Sequence, residues 1–119
     1  TVNNLPVQAI SISWGSSELE YDNTSINYYD QIFEEAYQRG INVFVASGDS
    51  GAYNGQSSLN VNFPASSPYV VGVGGTVLSV SGDSYAGETA WNNSGGGFSQ
   101  FGLDISVLVW QHHHGLHWI

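Results

Sequence analysis

The sequence has 119 residues, enough for one small domain. It contains ten acidic side chains and one basic side chain, Arg39, which gives a formal net charge of −9. This charge excludes a basic nucleic-acid-binding face and a polybasic membrane patch. The absence of cysteine excludes disulfides, thiolate metal sites and thiol catalysis. The sequence also contains no apolar run of about 18 residues, the length that spans a membrane.

The scarcity of basic side chains is typical of a protein that works in acid. Acid unfolding is driven largely by protonation of carboxylates that are paired in the native state. With no lysine and one arginine, the chain has few such pairs to lose. Many secreted proteins are lysine-poor for other reasons, so composition alone leaves both interpretations open.

The first half of the chain predicts a strand–helix–strand unit. Residues 8–14 alternate apolar and small side chains, which predicts a strand that ends at Gly15. Residues 25–39 place apolar side chains at three- and four-residue steps, which predicts an amphipathic helix. Thr24 or Ser25 is expected to cap this helix, and Gly40 stands where it should end. Residues 41–46 then predict a buried strand, so the unit is a right-handed βαβ crossover in a parallel sheet.

The second half is rich in turns and predicts shorter extended segments. In chain order these are a polar loop at 47–62, a two-proline turn at 63–68, a strand at 69–73, an extended segment at 76–80, a turn at 81–83, a hairpin partner at 84–91 and a glycine break at 95–97. One long helix cannot cover both faces of a parallel sheet. The sequence therefore predicts an α/β fold that is either the middle of a larger domain or covers its open face with a partner.

A single carboxylate, Asp49, follows the predicted strand 41–46 in the segment Val-Ala-Ser-Gly-Asp-Ser-Gly. From the residues alone, an aspartate that forms a turn between glycines is the ordinary interpretation. A nucleotide-binding loop at 47–55 is disfavoured, because no Gly-x-Gly-x-x-Gly follows the strand and no lysine is available for phosphates.

Several motifs in order, covering about residues 8–101, resemble those of the sedolisins, the serine-carboxyl peptidases of the subtilisin-like superfamily. The motifs are ISISWG at 10–15, VASGDSG at 45–51, FPASSPYV at 63–70, VGGT at 73–76, ETAW at 88–91 and GGGFS at 95–99. The resemblance implies a subtilisin-like parallel sheet with a βαβ crossover, present here only as a partial domain. Residues 1–101 are then the central part of a sedolisin-like peptidase domain, and residues 102–119 are a divergent C-terminal tail.

The resemblance also implies site residues. Asp49 matches the family's aspartate that supplies part of the oxyanion hole, beside a serine nucleophile and a glutamate–aspartate base pair. A protonated carboxyl can donate a hydrogen bond to developing negative charge, whereas an ionised one would repel it. Ser13, Trp14 and Gly15 match the strand that pairs with the substrate backbone beside the S1 cleft, although the Trp14 side chain is equally well interpreted as core. Ser47 and Gly48, which precede Asp49, complete the predicted substrate-binding residues.

The sequence departs from the family in three places. It has no Gly-Thr-Ser nucleophile motif, no segment that matches the family's calcium loop, and only seven residues before Gln8, where the family places the helix with its base pair. Glu18 and Asp22 have the spacing of that pair, but they follow the strand in a polar stretch, so we assign them no base role. We expect no cofactor in this chain, since the family's calcium site lies outside it, and we expect the chain alone to be inactive.

Four histidines, His112, His113, His114 and His117, lie near the end of the sequence. Such a cluster can bind a transition metal. Because no orienting carboxylate lies nearby, an incidental terminal sequence is the favoured interpretation, and no metal site is predicted.

Two functions from different classes remain. The first is part of a secreted, acid-acting serine-type endopeptidase that takes a peptide or protein substrate, with neither nucleic acid nor membrane as a partner. The second is a non-catalytic module that uses an exposed sheet edge to bind peptides or another chain, including a second copy of itself. The sequence does not distinguish an endopeptidase, which cleaves within a chain, from a tripeptidyl-peptidase, which releases N-terminal tripeptides.

Overall fold

The computed structural model describes residues 3–101, and its centre is a parallel sheet. The regular elements are β1 (Ala9–Ile12), β2 (Ser16–Ser17), α1 (Asn23–Gln38), β3 (Asn42–Ala46), β4 (Asn62–Phe63), β5 (Val71–Val73), β6 (Thr76–Ser81) and β7 (Ser84–Ala90), with short 3₁₀ helices at Glu18–Glu20 and Gly51–Tyr53. The three-stranded sheet has the spatial order β1-β3-β5, and both of its pairings are parallel. The predicted βαβ crossover is confirmed, with α1 as the crossing helix.

Helix α1 begins earlier than predicted and has a different cap. The Asp22 side chain, not that of Thr24 or Ser25, occupies the N-cap position and accepts a hydrogen bond of 2.6 Å from the Ser25 backbone N–H. The prediction of Thr24 or Ser25 was wrong because both residues already lie in the first helical turn, where Asp22 can reach the unpaired amides.

The end of α1 agrees with the prediction. Gly40 has a positive φ of 73°, which a residue without Cβ adopts at low cost. Its N–H donates to the Tyr37 carbonyl at 3.0 Å, and the next N–H, of Ile41, donates to the Ala36 carbonyl at 2.9 Å. This pair of hydrogen bonds is the Schellman arrangement, and it turns the chain directly into β3.

The hydrophobic core lies between α1 and one face of the sheet. Val43 and Val45 of β3 pack there with Ile26 and Phe33 of α1, and Phe63 of β4 closes the end of the core. Alternate residues of a strand point to opposite faces. As a result, one face of the sheet packs against α1, and the other face is not covered within residues 3–101.

The uncovered face carries apolar side chains. Phe44 of β3 is 39% exposed and Val73 of β5 is 40% exposed. Phe44 pairs in register with Ser11 of β1, so this face is apolar in its centre and polar beside it. The expectation that one helix covers only one face of the sheet is confirmed for the described residues.

The first strand and the β2–β4 pair differ from the sequence predictions, and the β6–β7 hairpin agrees with them. The first strand is shorter than residues 8–14, and Trp14 lies beyond its end, 53% exposed, with its ring edge-on to that of Tyr29 at 6.2 Å. The β2–β4 antiparallel pair was not predicted, because each strand has only two residues and β2 has no apolar side chain. The hairpin of β6 and β7 was predicted, and its turn is Gly82–Asp83.

No helix within residues 3–101 is long and apolar enough to cross a membrane. The predicted tail at 102–119, including its four histidines, lies outside the described residues.

Candidate active site

The predicted site residues lie at the carboxyl ends of β1 and β3. Because Ile12 pairs with Val45, the segments that follow these two strands leave the sheet side by side. The first is Ser13-Trp14-Gly15 and the second is Ser47-Gly48-Asp49. In open parallel sheets, the region beyond the carboxyl ends of the strands is where ligands bind.

Asn62 of β4 joins these two segments, and sequence reasoning did not find it. A Cβ on Gly15 would collide with the Asn62 amide nitrogen and lie 2.5 Å from the Phe63 carbonyl oxygen. A Cβ on Gly48 would lie 3.6 Å from the Asn62 amide carbon, so the same side chain contacts the second segment. The Asn62 amide also donates to the Ala46 carbonyl at 3.4 Å. The one signal in the sequence is a polar residue between Val61 and Phe63.

A second buried amide, Asn60, holds the loop that follows Asp49. Its side-chain nitrogen donates to the carbonyls of Tyr53 at 2.7 Å and Ser58 at 2.9 Å, and its side-chain oxygen accepts from Ser17 Oγ at 2.7 Å. Each polar atom of this side chain therefore has a partner, as a buried amide requires. The loop is tied to β2 although it has little regular structure of its own.

Asp49 is the exposed residue of its segment. Its carboxyl makes no hydrogen bond or ion pair with any residue in the described range 3–101. Gly48 immediately before it has a φ of 103°, a conformation that glycine adopts without strain. The geometry thus presents a carboxyl to the solvent just after β3, and the Gly48 carbonyl that precedes it accepts a hydrogen bond from the Gly95 N–H.

Ser47 is oriented differently from the other predicted binding residues. Its side chain is 3% exposed, and its backbone N–H donates to the Val73 carbonyl at 2.9 Å. Its hydroxyl has no hydrogen-bond partner among the described residues. The structure therefore places the Ser47 side chain inside the protein, next to the strand ends.

Residues 95–101, which we name the glycine strap, lie against the Ser47–Gly48 turn. The Gly95 N–H donates to the Gly48 carbonyl at 3.1 Å. A Cβ on Gly95 would overlap the Ser47 carbonyl oxygen and lie 2.9 Å from its carbon. Just before the strap, the Asn93 carbonyl accepts from the Gly51 N–H at 2.8 Å. The loop that carries Asp49 is therefore braced by backbone contacts on both of its sides.

The uncovered sheet face forms a shallow depression with a volume of about 330 Å³. Ser13 lines it, together with Phe44 and Ala46. The other predicted site residues, Trp14, Gly15, Ser47, Gly48 and Asp49, do not line it. This depression and the Asp49 loop meet at the carboxyl end of β3.

Within residues 3–101, the hydroxyls of Ser67 and Ser99 donate to carboxylates, and in each pair at least one partner is buried. Ser67 donates to Asp30 at 2.6 Å, and Ser67 is 4% exposed. Ser99 donates to Glu18 at 2.8 Å, and Glu18 is completely buried. A nucleophile must reach a substrate carbonyl, which the buried Ser67 hydroxyl cannot, and in the second pair the carboxylate is the buried partner. Asp22, the other residue of the Glu18–Asp22 spacing, caps α1, which agrees with assigning this pair no base role.

Within residues 3–101, two carboxyls at the start and in the middle of α1 have shifted pKa values. Burial raises the pKa of Asp30, and the hydrogen bond from Ser67 offsets part of that rise. The backbone N–H of Ser25 lowers the pKa of Asp22. No group of three or more potential metal ligands occurs within residues 3–101.

Taken together, the parallel sheet, its crossover helix and the loop at the carboxyl end of β3 are those of the subtilisin-like α/β fold, of which the chain contains a part. The solved structure of Pseudomonas sedolisin, a serine-carboxyl proteinase complexed with two molecules of pseudo-iodotyrostatin, matches with a TM-score of 0.71 and 34% sequence identity. The match covers 79% of this chain and 31% of that chain.

Sequence comparison agrees with the structural match. The subtilase family model matches residues 2–107. Kumamolisin from Bacillus sp. (strain MN-32) is 40% identical over 99 residues, which are 76% of this chain and 18% of kumamolisin. Sedolisin from Pseudomonas sp. (strain 101) is 35% identical over 109 residues, which are 85% of this chain and 17% of sedolisin. The chain belongs to the subtilase family and, within it, to the sedolisins, and it spans less than a fifth of the length of these curated relatives.

Proposed function

We propose that this chain is part of a secreted, acid-acting serine-type endopeptidase and that it supplies one wall of the active site and the oxyanion-hole aspartate. The observation that carries the proposal is the position of Asp49. Its carboxyl is exposed and unpaired within residues 3–101, at the carboxyl end of β3 and beside the Ser13–Gly15 segment. A group that must meet a substrate atom needs this combination of a fixed backbone and a free side chain.

The chemistry assigned to Asp49 depends on its protonation. When a serine attacks a peptide carbonyl, the carbonyl oxygen becomes negative, and hydrogen-bond donors aimed at it stabilise the transition state. Protonated Asp49 donates an O–H to this oxygen, whereas ionised Asp49 places a like charge next to it. The proposed reaction therefore requires the neutral carboxyl, and we propose that it is faster in acid.

Ser13, Trp14 and Gly15 are proposed to bind the substrate as an extended strand. Pairing through backbone groups gives affinity with little dependence on the substrate sequence. Gly15 has no room for a side chain against Asn62, so the backbone here is held close to β4. Ser47 and Gly48 are proposed to contribute through their backbone, since the Ser47 side chain is buried.

The serine nucleophile and the glutamate–aspartate base pair are proposed to come from outside this chain. Within residues 3–101, Ser67 is buried and donates to Asp30, and Ser99 donates to the buried Glu18, so neither serine is assigned the role of nucleophile. No cofactor is proposed for this chain, and the family's calcium site is proposed to lie outside it. The proposed partner is a peptide or protein substrate, with no role for nucleic acid or a membrane surface.

The experiment compares this chain with the full-length gene product in a peptide-hydrolysis assay from pH 3 to 7. The full-length product is expected to cleave within peptides in acid and to be blocked by a serine-directed reagent, while the chain alone is inactive. Activity that is highest at neutral pH, or turnover by the purified chain alone, would contradict the proposal. Mass spectrometry of the products tests the endopeptidase assignment, which release of N-terminal tripeptides alone would contradict.

A second function is favoured by a separate observation, the edge of the sheet. Strand β1 pairs with β3 on one side, and within residues 3–101 its other side has no sheet partner, while Ile10 is 40% exposed. Such an edge can accept a further strand. The alternative proposal is a non-catalytic module that binds a peptide, or a second copy of the chain, at this edge. Gel filtration with and without an extended peptide separates this function from the first.

A further inference from the structure

Glu18 is a buried carboxylate that the proposed chemistry does not use. It begins the 3₁₀ helix Glu18–Glu20 and has no exposed surface. One carboxylate oxygen accepts the Gln100 backbone N–H at 2.7 Å, and the other accepts the Ser99 hydroxyl at 2.8 Å. Its own backbone N–H donates to the Val61 carbonyl at 2.9 Å. Both oxygens are therefore satisfied, but by neutral donors.

No basic group compensates this carboxylate within residues 3–101. Arg39 is the one Lys or Arg side chain of the sequence, and it pairs with Glu35 on α1. A buried carboxyl group is stabilised in a protein interior only when its oxygens have hydrogen-bond partners. The two bonds from Ser99 and Gln100 are therefore strongly favoured, and they fix the far end of the glycine strap.

The near end of the strap is fixed on the loop that carries Asp49. Gly95 donates to the Gly48 carbonyl and contacts the Ser47 carbonyl without room for a side chain. Between the two ends, Gly97 lies against Val61, whose side chain would be 3.1 Å from a Cβ there. A short segment thus runs from the Glu18 carboxylate to the two peptide groups that precede Asp49.

We propose that Glu18 is a positioning residue for Asp49, acting through the glycine strap. This role rests on the proposed function of Asp49. By holding the Ser99–Gln100 end, Glu18 keeps Gly95 against the Ser47 and Gly48 carbonyls. Those carbonyls set the direction in which the chain enters Asp49, and hence where its carboxyl points. Glu18 itself touches neither substrate nor Asp49.

The test compares Glu18→Ala and Glu18→Gln in this chain, with Glu20→Ala as the control. Glu20 lies in the same 3₁₀ helix but is exposed, and its side chain accepts a hydrogen bond from Gln56 outside the strap. Amide hydrogen exchange at Gly95 and the NMR chemical shift of the Asp49 amide are measured. Glu18→Ala is expected to speed exchange at Gly95 about 10-fold or more, the order of the effect of losing the two hydrogen bonds that hold the strap, and to shift the Asp49 amide.

Glu18→Gln keeps an acceptor for Gln100 and can hydrogen-bond to Ser99, so it is expected to restore most of the protection at Gly95. Amides of β3 should be unchanged in both variants, which separates loosening of the strap from global unfolding. Should Glu18→Ala fail to fold, Ser99→Ala cuts one bond of the same link and is judged by the same measurements. Unchanged exchange at Gly95, equal acceleration in β3, or an unmoved Asp49 amide would overturn the proposal.

In the full-length gene product the same variants separate this inference from the proposed function. Glu18→Ala is expected to lower kcat about 10-fold or more with little change in KM, since Asp49 acts in the transition state and not in substrate binding. Glu18→Gln should recover most of kcat. If the gene product has no peptidase activity, the proposed function fails, while the strap coupling is still decided by exchange. If the parent gene product is active, and the Glu18→Ala variant folds and keeps a normal kcat, the positioning role alone fails.

Discussion

The Ser67 hydroxyl donates a hydrogen bond of 2.6 Å to the Asp30 carboxyl, which joins the middle of α1 to the turn after β4. Asp30 is partly buried, and this burial raises its pKa. The folded protein therefore binds the Asp30 proton more tightly than the unfolded chain does. A raised pKa in a carboxyl makes the folded state most stable below the ordinary pKa of the group, and stability is lost as the pH rises through the raised value.

Replacement of Asp30 by Asn should remove this pH dependence. The asparagine side chain cannot ionise, and its amide oxygen can still accept from Ser67. Urea unfolding followed by tryptophan fluorescence is expected to show that the parent chain loses more stability between pH 3 and pH 7 than Asp30→Asn does. Asp83→Asn, in the exposed hairpin turn, is the control and should follow the parent. An equal change in the free energy of unfolding between pH 3 and pH 7 for the parent and Asp30→Asn would contradict the burial of this carboxyl.

Asp22 should show the opposite sign. The Ser25 N–H lowers its pKa, so its stabilising effect is complete above the ordinary pKa and is lost as the pH falls through the lowered value. Asp22→Ala removes the helix cap and is expected to lower the melting temperature by a few degrees at pH 6. Asp22→Asn keeps a cap acceptor, so its melting temperature at pH 6 should lie between those of the parent and Asp22→Ala. A melting temperature of Asp22→Ala equal to the parent at pH 6 would show that the cap is unimportant.

The contact of Gly95 with the Ser47 carbonyl leaves no space for a methyl group. Gly95→Ala must therefore displace backbone, and we expect a loss of about 3 kcal/mol in the free energy of unfolding. Gly55→Ala is the matched control, because Gly55 has a φ of 74° but nothing within 4 Å of the added atom. It should cost about 1–2 kcal/mol from backbone strain alone. Urea titration of both variants decides this, and equal losses would mean that the strap does not pack closely on the loop.

The uncovered sheet face should make the isolated chain associate. Phe44 and Val73 are both partly exposed on this face, and large apolar patches drive association. Sedimentation of the chain is expected to show oligomers, and Phe44→Ser should shift them toward monomer. Tyr37→Ser is a control on α1, where the side chain is 68% exposed on another surface. A monodisperse monomer for the parent chain would contradict this prediction.

The sequence predicted those parts of the fold that depend on periodicity. Three features have a local cause in the sequence: the apolar periodicity of α1, the apolar run of β3 and the glycine that ends α1, Gly40. The structure agrees with all three. The N-cap was assigned to the wrong residue because Asp22, Thr24 and Ser25 all have capping side chains and only geometry selects among them.

What the sequence did not predict depends on contacts distant along the chain. Asn62 contacts Gly15 and Gly48, which are 47 and 14 positions away in the numbering. Glu18 binds residues separated from it by 81 and 82 positions. A glutamate in a polar stretch gives no local sign that it is completely buried, since burial is decided by the strap that covers it. The predicted roles of Ser13, Trp14, Gly15, Ser47, Gly48 and Asp49 came from resemblance and stay predictions.

The central claim, that Asp49 donates a hydrogen bond to the oxyanion, is tested most directly by the kinetics of three forms of the full-length gene product. These are the parent, Asp49→Asn and Asp49→Ala, measured from pH 3 to 7. Asp49→Ala is expected to lose about 10²–10³ in kcat with little change in KM, the usual effect of removing one oxyanion donor. Asp49→Asn keeps a donor that does not titrate, so it should retain more activity than Asp49→Ala and extend further toward neutral pH. If Asp49→Asn and Asp49→Ala are equally impaired at every pH, Asp49 is not the donor.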